Sequence, residues 1–243
     1  MNKRGVNCII DDSATIEDGV VLGNNVIIKE NVVIKQGAFI ADNCIIGEYG
    51  KEYYTDEHYT NPKTVIGENS IIRSYSIIYS SAEVGTNFST GHFAVIRENV
   101  NIGDNCSVGT CSTVASDVVI GNNSRIHTHV LITDKSKIGD NVWVFSNVTT
   151  SSDIHPPCGL CDKGIVVGSN SVIGAATTCI PGVEIEENVV VSSGSFVSKN
   201  LKSGYLYGGH PAKKICELTK IPCTKMVYKN AYPWNDRKNL KID

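Results

Sequence analysis

Every sixth residue of this chain is aliphatic over most of its length, and few folds tolerate such a pattern. Stepping by six from Ile10 meets Ile16, Leu22, Ile28, Ile34, Ile40 and Ile46. The phase resumes from Ile66 through Thr150 and again from Val167 through Val197. Of these 28 slots, 25 hold Ile, Leu or Val, whereas a random spread of the 41% apolar residues fills about 11. Glycine follows the slot eleven times, as at Gly91, Gly109 and Gly174, and small or β-branched residues such as Ala82, Ser112 and Val130 stand two before it. A period of six is neither a heptad nor a long helix. It predicts a very short strand, a turn and another short strand, with two inward side chains per hexad. β-Branched residues fill the pleated inner face, and glycine takes backbone angles that other residues avoid. Such units cannot bury a core singly and must stack into a solenoid.

On these repeats the sequence resembles the hexapeptide-repeat transferases over about residues 8–215. The resemblance implies an all-β fold, a left-handed parallel β-helix with three hexads per coil. The left hand comes from the resemblance, because ordinary parallel crossovers are right-handed. The 28 slots then make just over nine coils, a prism roughly 45 Å tall at about 4.8 Å per coil. The expected division is a β-helix over 1–200, with inserted loops at 48–64 and 151–166, and a C-terminal helical cap and tail over 201–243. The segment "KSGYLYGGHPAKKICELTK" resembles the family's closing turn feeding a short helix. Pro211 suits that helix's first turn, and the tail around Trp234 is expected to pack on a coil or a neighbour.

Composition excludes several roles. A net charge of −3 and a pI near 6.1 lack the basic surplus of nucleic-acid binders. No 18-residue apolar run is present, and the apolar stretch in "MNKRGVNCII" is too short for a signal peptide. The nine cysteines, scattered through repeat slots, suit buried free thiols in a reducing compartment. A cytoplasmic protein is expected.

The two loops are the first candidates for function, since long excursions from compact repeats carry it more often than not. Loop 48–64 holds Tyr49, Tyr53, Tyr54, His58 and Tyr59; loop 151–166 holds His155, Cys158 and Cys161. The second candidate is a column. If residues 18 apart stack, Thr90 points inward and His92 lies on an outward turn, with Thr110 and Thr128 above it. His127 and His129 flank Thr128, Asn147 lies one coil above His129, and Arg73 lies one coil below Gly91. Three of the six histidines therefore gather at one corner.

The run "SIIRSYSIIYSSAEVGTNFSTGHFAVIRENVNIGDNCSVG" resembles a narrower group, N-acyltransferases acting on nucleotide-linked amino sugars such as dTDP-3-amino-3,6-dideoxyhexoses. Thr90-Gly91-His92, Ile96-Arg97-Glu98, "NVWVFSNV" and "VIGAATTCIPGVEI" carry the likeness. Ser146, where glycine is usual, and Ser151-Ser152-Asp153, where Thr-Asn-Asp is common, depart from it. The resemblance implies attack of a sugar amine on the thioester of acetyl-CoA or another acyl-CoA, in surface polysaccharide or glycan biosynthesis, by a homotrimer with sites between subunits. His92 is the first choice for base, with His127 or His129 next, because imidazole titrates near neutrality; a carboxylate such as Glu98, from the same or a neighbouring subunit, is expected to orient it. The departing thiolate is an alternative proton acceptor. Arg73 and Arg97 are candidates for the pyrophosphate, with Thr90 and Asn147 beside the sugar. Gly174, Ala175 and Ala176 leave room for the pantetheine, and Lys199, Lys202 and Lys213 are placed to meet its phosphates.

Other readings stay open: an O-acetyltransferase on a sugar or small alcohol, and a non-catalytic β-solenoid scaffold. Zinc at the histidine corner lacks the His-x4-His spacing of γ-class carbonic anhydrases. At His155, Cys158 and Cys161 there are three plausible ligands but no second CxxC. No metal is expected.

Overall fold

The computed structural model describes residues 3–155, 162–226 and 229–232. Strands of mostly two or three residues, such as Ser89–Thr90, Val95–Ile96 and Asn101–Ile102, follow one another at six-residue steps. They wind into a left-handed parallel β-helix. Among the described residues its three sheets hold 12, 10 and 9 strands. Each strand pairs with the one a coil later: Ser89 with Ser107, then Arg125, then Trp143; Thr90 with Val108, Ile126 and Val144. Of the 28 slots, 26 are buried; Ile10 and Ile16, at the open lower end, are half-buried. The slots alone count just over nine coils. Lys3–Arg4 below, and Leu201 and Tyr205–Gly208 above, lengthen the column to about 11 turns.

The turns explain the period. In most of them, Ser13 and Asn200 being exceptions, the third residue is left-handed, with φ between 54° and 65° where it is not glycine. Asparagine tolerates this region better than other side-chain-bearing residues. At the corner between the third and first sheets (the third corner) the described turns from Gly19 to Asn188 use only Gly or Asn there, including Asn87, Asn105, Asn123 and Asn141. Their amides also bond between coils, as Asn87 Nδ2 to Asn105 Oδ1 at 2.9 Å.

The expected C-terminal helix is not formed. Tyr205–Gly208 pairs in parallel with the last full coil, and Lys213–Glu217 folds back antiparallel on it; among the described residues of this segment the only helical turn is the 3-10 stretch Leu218–Lys220. The physical reason is the open edge of Tyr205–Gly208. A strand satisfies its free N–H and C=O groups, a helix does not, and the lysines of the new outer strand discourage further pairing. No helix among the described residues is long and apolar enough to cross a membrane. The seven described cysteines are free, and burial pushes the Cys44 and Cys106 thiols up to about 11 and Cys179 to about 12.

Alternation along a two-residue strand gives a direct check. Ile120, 2% exposed, faces the core, and Val119, 47% exposed, faces out. Ile120→Ala is expected to cost about 2–5 kcal/mol and Val119→Ala within about 0.5 kcal/mol, read by chemical denaturation. Equal losses contradict the inward assignment.

Candidate functional site at the first corner

The corner between the first and second sheets gathers the histidines. Backbone bonds Phe93 N to Ser74 O, Cys111 N to His92 O, His129 N to Thr110 O and Asn147 N to Thr128 O tie its successive turns together at 2.9–3.2 Å. Arg73, His92, His127, His129, Asn147, Gly174, Ala175 and Ala176 all lie on this one edge. His92 and His129 are exposed and His127 is half-buried. The Thr-Gly-His sequence now has a cause for each residue. Thr90 fills an inward slot. Gly91 must be glycine, since a Cβ there would lie 2.2 Å from the Thr110 nitrogen of the next coil. His92 is the first residue free to project outward.

His127 has the most specific surroundings. Its ring stacks on Phe145 at 4.6 Å and lies 6.2 Å from Trp143, over which the Arg125 guanidinium sits at 5.0 Å. Burial, and then the charge of Arg125, push its pKa below the usual 6.5. The imidazole is therefore neutral at pH 7, the form that accepts a proton. Phe145 also lines a groove of about 330 Å³ whose other walls include Val172, Gly174, Val190, Ser192, Ser193, Leu206, Ile221 and Tyr232. Gly174 is demanded by the next coil too, because a Cβ would meet Ser193 N at 2.4 Å. The groove and the histidine corner thus share one ring, Phe145.

Several expected site residues stand elsewhere. Thr90 is 3% exposed, and its Oγ1 accepts the Arg73 N–H at 2.8 Å, so it is a core residue with no surface for a sugar. Arg97 and Glu98 lie on the corner between the second and third sheets, one turn further along the coil. There they form a two-pronged ion pair at 2.7 and 2.9 Å, and Arg97 covers the Tyr79 ring at 4.6 Å. Glu98 therefore does not orient His92 within one chain, and Arg97 is already engaged. Burial works against the Glu98 charge, but hydrogen bonds, chiefly from Arg97, hold its pKa below the ordinary 4.5. Asn147, at φ 60°, is the usual turn asparagine, so its residue type has a conformational cause. The three lysines are not together. Lys199 is on the second corner, Lys202 is on the third and paired with Glu186 at 2.5 Å, and only Lys213, beginning the outer hairpin strand, adjoins the first sheet.

Both loops leave the prism at the second corner. Loop 48–64 is a built wall: Tyr49 and Tyr53 stack at 3.9 Å, and buried Asn61 donates to Gly47 O at 2.7 Å and accepts from Tyr59 at 2.7 Å. With Asp162 and the turns of Glu98, Asp117 and Asp134 it lines a trough of about 660 Å³. Lys135 bridges to Asp162 at 2.6 Å. The carboxylates make this trough unsuited to a pyrophosphate. Among the described residues no set of His, Cys, Asp or Glu is arranged to hold a metal ion. Cys158 and Cys161, like Trp234, lie outside the described residues.

One signal goes unread in the sequence. At the first corner the left-handed turn position passes from Asn7, Asn25 and Asn43 to Tyr75, Phe93, Cys111 and His129. Bulky residues at positive φ cost about 1–3 kcal/mol and cluster at functional sites. A break in the asparagine register is visible at this corner without any structure, as it is at the second corner at Ser81, Asp117 and Lys135.

Similarity to known proteins agrees with the fold. The model described as "Bacterial transferase hexapeptide (six repeats)" matches residues 5–36 and 99–134, and "Hexapeptide repeat of succinyl-transferase" matches 164–199. The chain is a hexapeptide-repeat β-helix. YvoF of Bacillus subtilis, named as a candidate acetyltransferase, is 41% identical over 51 residues, 21% of this chain and 30% of that one. YJL218W of Saccharomyces cerevisiae, named likewise, is 32% identical over 65 residues, 27% of this chain and 33% of its own. The aligned regions span about a third of these curated relatives. Among solved structures, the Arabidopsis UDP-N-acetylglucosamine acyltransferase superposes with a TM-score of 0.63 at 18% identity, covering 86% of this chain and 74% of that one. The Campylobacter jejuni enzyme of the same name gives 0.50 at 19%, covering 86% and 75%. At these identities the likeness is one of fold.

Two titrations follow. The His127 imidazole is expected to titrate below 6.5 by NMR, and Arg125→Ala to raise its midpoint. A folded pKa below the unfolded one means the stability from the neutral ring is present above pH 6.5 and lost as pH falls through the folded value. For Glu98 the same sign holds around its lower range. Its contribution is complete above pH 4.5 and disappears on acidification. Glu98→Gln should therefore flatten the acid arm of the stability profile; an unchanged arm contradicts the pairing.

Proposed function

We propose that the protein is an acyl-CoA-dependent acyltransferase working at the first corner. Its substrates in this reading are acetyl-CoA and the amine of a nucleotide-linked amino deoxysugar, in the cytoplasm, for surface glycan biosynthesis. The observation that carries it is the continuity from the groove at Gly174 through Phe145 to the neutral His127 ring, on the edge that also bears His92 and His129. A groove with glycine in its wall suits an extended pantetheine arm, whose thioester then meets the imidazoles. The acetyltransferase names of the two curated relatives, and the acyltransferase title of the Arabidopsis fold neighbour, agree with this class.

The chemistry needs a deprotonated amine and a stabilised tetrahedral oxyanion. The amine nitrogen bonds to the thioester carbon, the carbon–sulfur bond breaks, coenzyme A leaves as thiolate, and the surplus proton passes to an imidazole. His127 is neutral and sheltered by Phe145 and Trp143, so it competes with the more exposed His92 for the role of base. Arg73, exposed on the same corner, remains a candidate for the pyrophosphate. A homotrimer is part of the proposal; exposed Ile9, Phe39 and Ile71 on the first and second sheets offer apolar area for contact between copies.

The test is coenzyme A release from acetyl-CoA with a panel of dTDP- and UDP-linked amino sugars. Turnover is expected with an amine acceptor and not with the matching alcohol. His92→Ala and His127→Ala separate the bases, the true one losing at least about tenfold in kcat. No thiol release with any acceptor, amine or alcohol, contradicts the proposal.

A further inference from the structure

We infer that the acceptor's sugar ring is held in a gap in a ladder of aromatic side chains on the first corner, at the level of Cys111; this rests on the acyltransferase reading. Tyr75, Phe93, Cys111 and His129 occupy the same left-handed turn position in four successive coils, with φ of 65°, 58°, 54° and 56°. The third corner shows that the fold itself asks only for Asn or Gly there. Tyrosine and phenylalanine are poor choices for this backbone, and Tyr75 and Phe93 gain no burial in return, being 51% and 53% exposed.

They stack on each other. The ring centroids are 5.0 Å apart and the planes 12° from parallel, a spacing close to the coil rise of about 4.8 Å. The two rings are therefore successive rungs running along the column. The next rung falls at Cys111, whose exposed side chain is too short to continue the stack, and the following turn carries the imidazole of His129. Two coil steps, about 9.6 Å, separate the turns of Phe93 and His129. That span admits one flat ring at centroid separations of about 4.5–7 Å from aromatic neighbours.

The position chooses the occupant. Phe93 adjoins His92 in the chain, and His127 and His129 stand one coil above Cys111. A ring in the gap has its substituents among the imidazoles. The reacting amine is on the sugar, so the pyranose, with its apolar C–H face against Phe93, belongs there. A nucleobase in the same gap would occupy the place of the reacting group.

Cys111 supplies the test. The assembled full-length protein is alkylated with iodoacetamide, and the rate at Cys111 is read by peptide mass spectrometry. UDP-glucosamine at saturation is expected to slow it at least tenfold, and UDP alone or coenzyme A alone less than twofold. Phe93→Asn should keep or raise Tm, since asparagine suits the turn, and abolish the protection. Equal protection by UDP puts the base in the gap. Equal protection by coenzyme A gives it to the acyl donor. Cys111 inert before any ligand is added shows the face covered by another copy. Each of these, or no protection at all, overturns the inference. Coenzyme A release is followed in parallel: turnover without protection removes the ladder alone, and protection without turnover removes the acyltransferase reading.

Discussion

The parallel backbone ladder between coils is the interaction on which everything else rests. Because each strand bonds to the strand one coil away, as Val95 to Thr113 and Thr113 to Leu131, the inner and outer faces are set for the whole column at once. A slip of one residue would turn Ile96, Val114 and Ile132 out to solvent together. The same register makes corners into columns, so residues far apart in sequence share an edge only when they share a phase. Sites on such a scaffold are built by choosing residue types at repeated positions, with the backbone left unchanged.

That constraint gives departures from the repeat their meaning. The third corner keeps Gly or Asn at each described left-handed turn, and its side chains serve the column, with Asp104, Asn122 and Asp140 accepting backbone N–H groups of neighbouring coils. The first corner departs from Gly or Asn at Tyr75, Phe93, Cys111 and His129, and the second at Ser81, Asp117 and Lys135, although Ser81 and Asp117 still bond to Asn99 of the neighbouring coil. Each of these edges borders a concave surface. The chain accepts poorer turn residues where a side chain has other work, as expected when local preference and function conflict. The first corner joins histidines to an apolar groove; the second joins carboxylates to a loop of stacked tyrosines. The proposed acyl transfer is assigned to the first.

Much of this is legible in the sequence because the period of six converts spacing into position. The slots, the inward Thr90, the outward His92 and the shared corner of His92, His127 and His129 all follow from counting. Counting also separates Arg97 and Glu98 from the histidines, since six residues on is the next corner, but "TGHFAVIRE" read as one motif merges the two. The C-terminal helix fails for a different reason. Nothing in "GGHPAKKICEL" reveals that Tyr205–Gly208 leaves an edge in need of a partner. The shelter of His127 by Phe145 and the seating of loop 48–64 by Asn61 are tertiary facts with no periodic trace.

In the proposed function the groove at Gly174 and the histidine corner form one acyl-donor site. Hydrogen–deuterium exchange of the full chain with and without coenzyme A tests it most directly. Slowed exchange is expected over residues 143–147, 172–176 and 190–194, with the second-corner turns at 80–81, 98–99 and 116–117 unchanged. Protection confined to the second corner, or absent along the first, would contradict it.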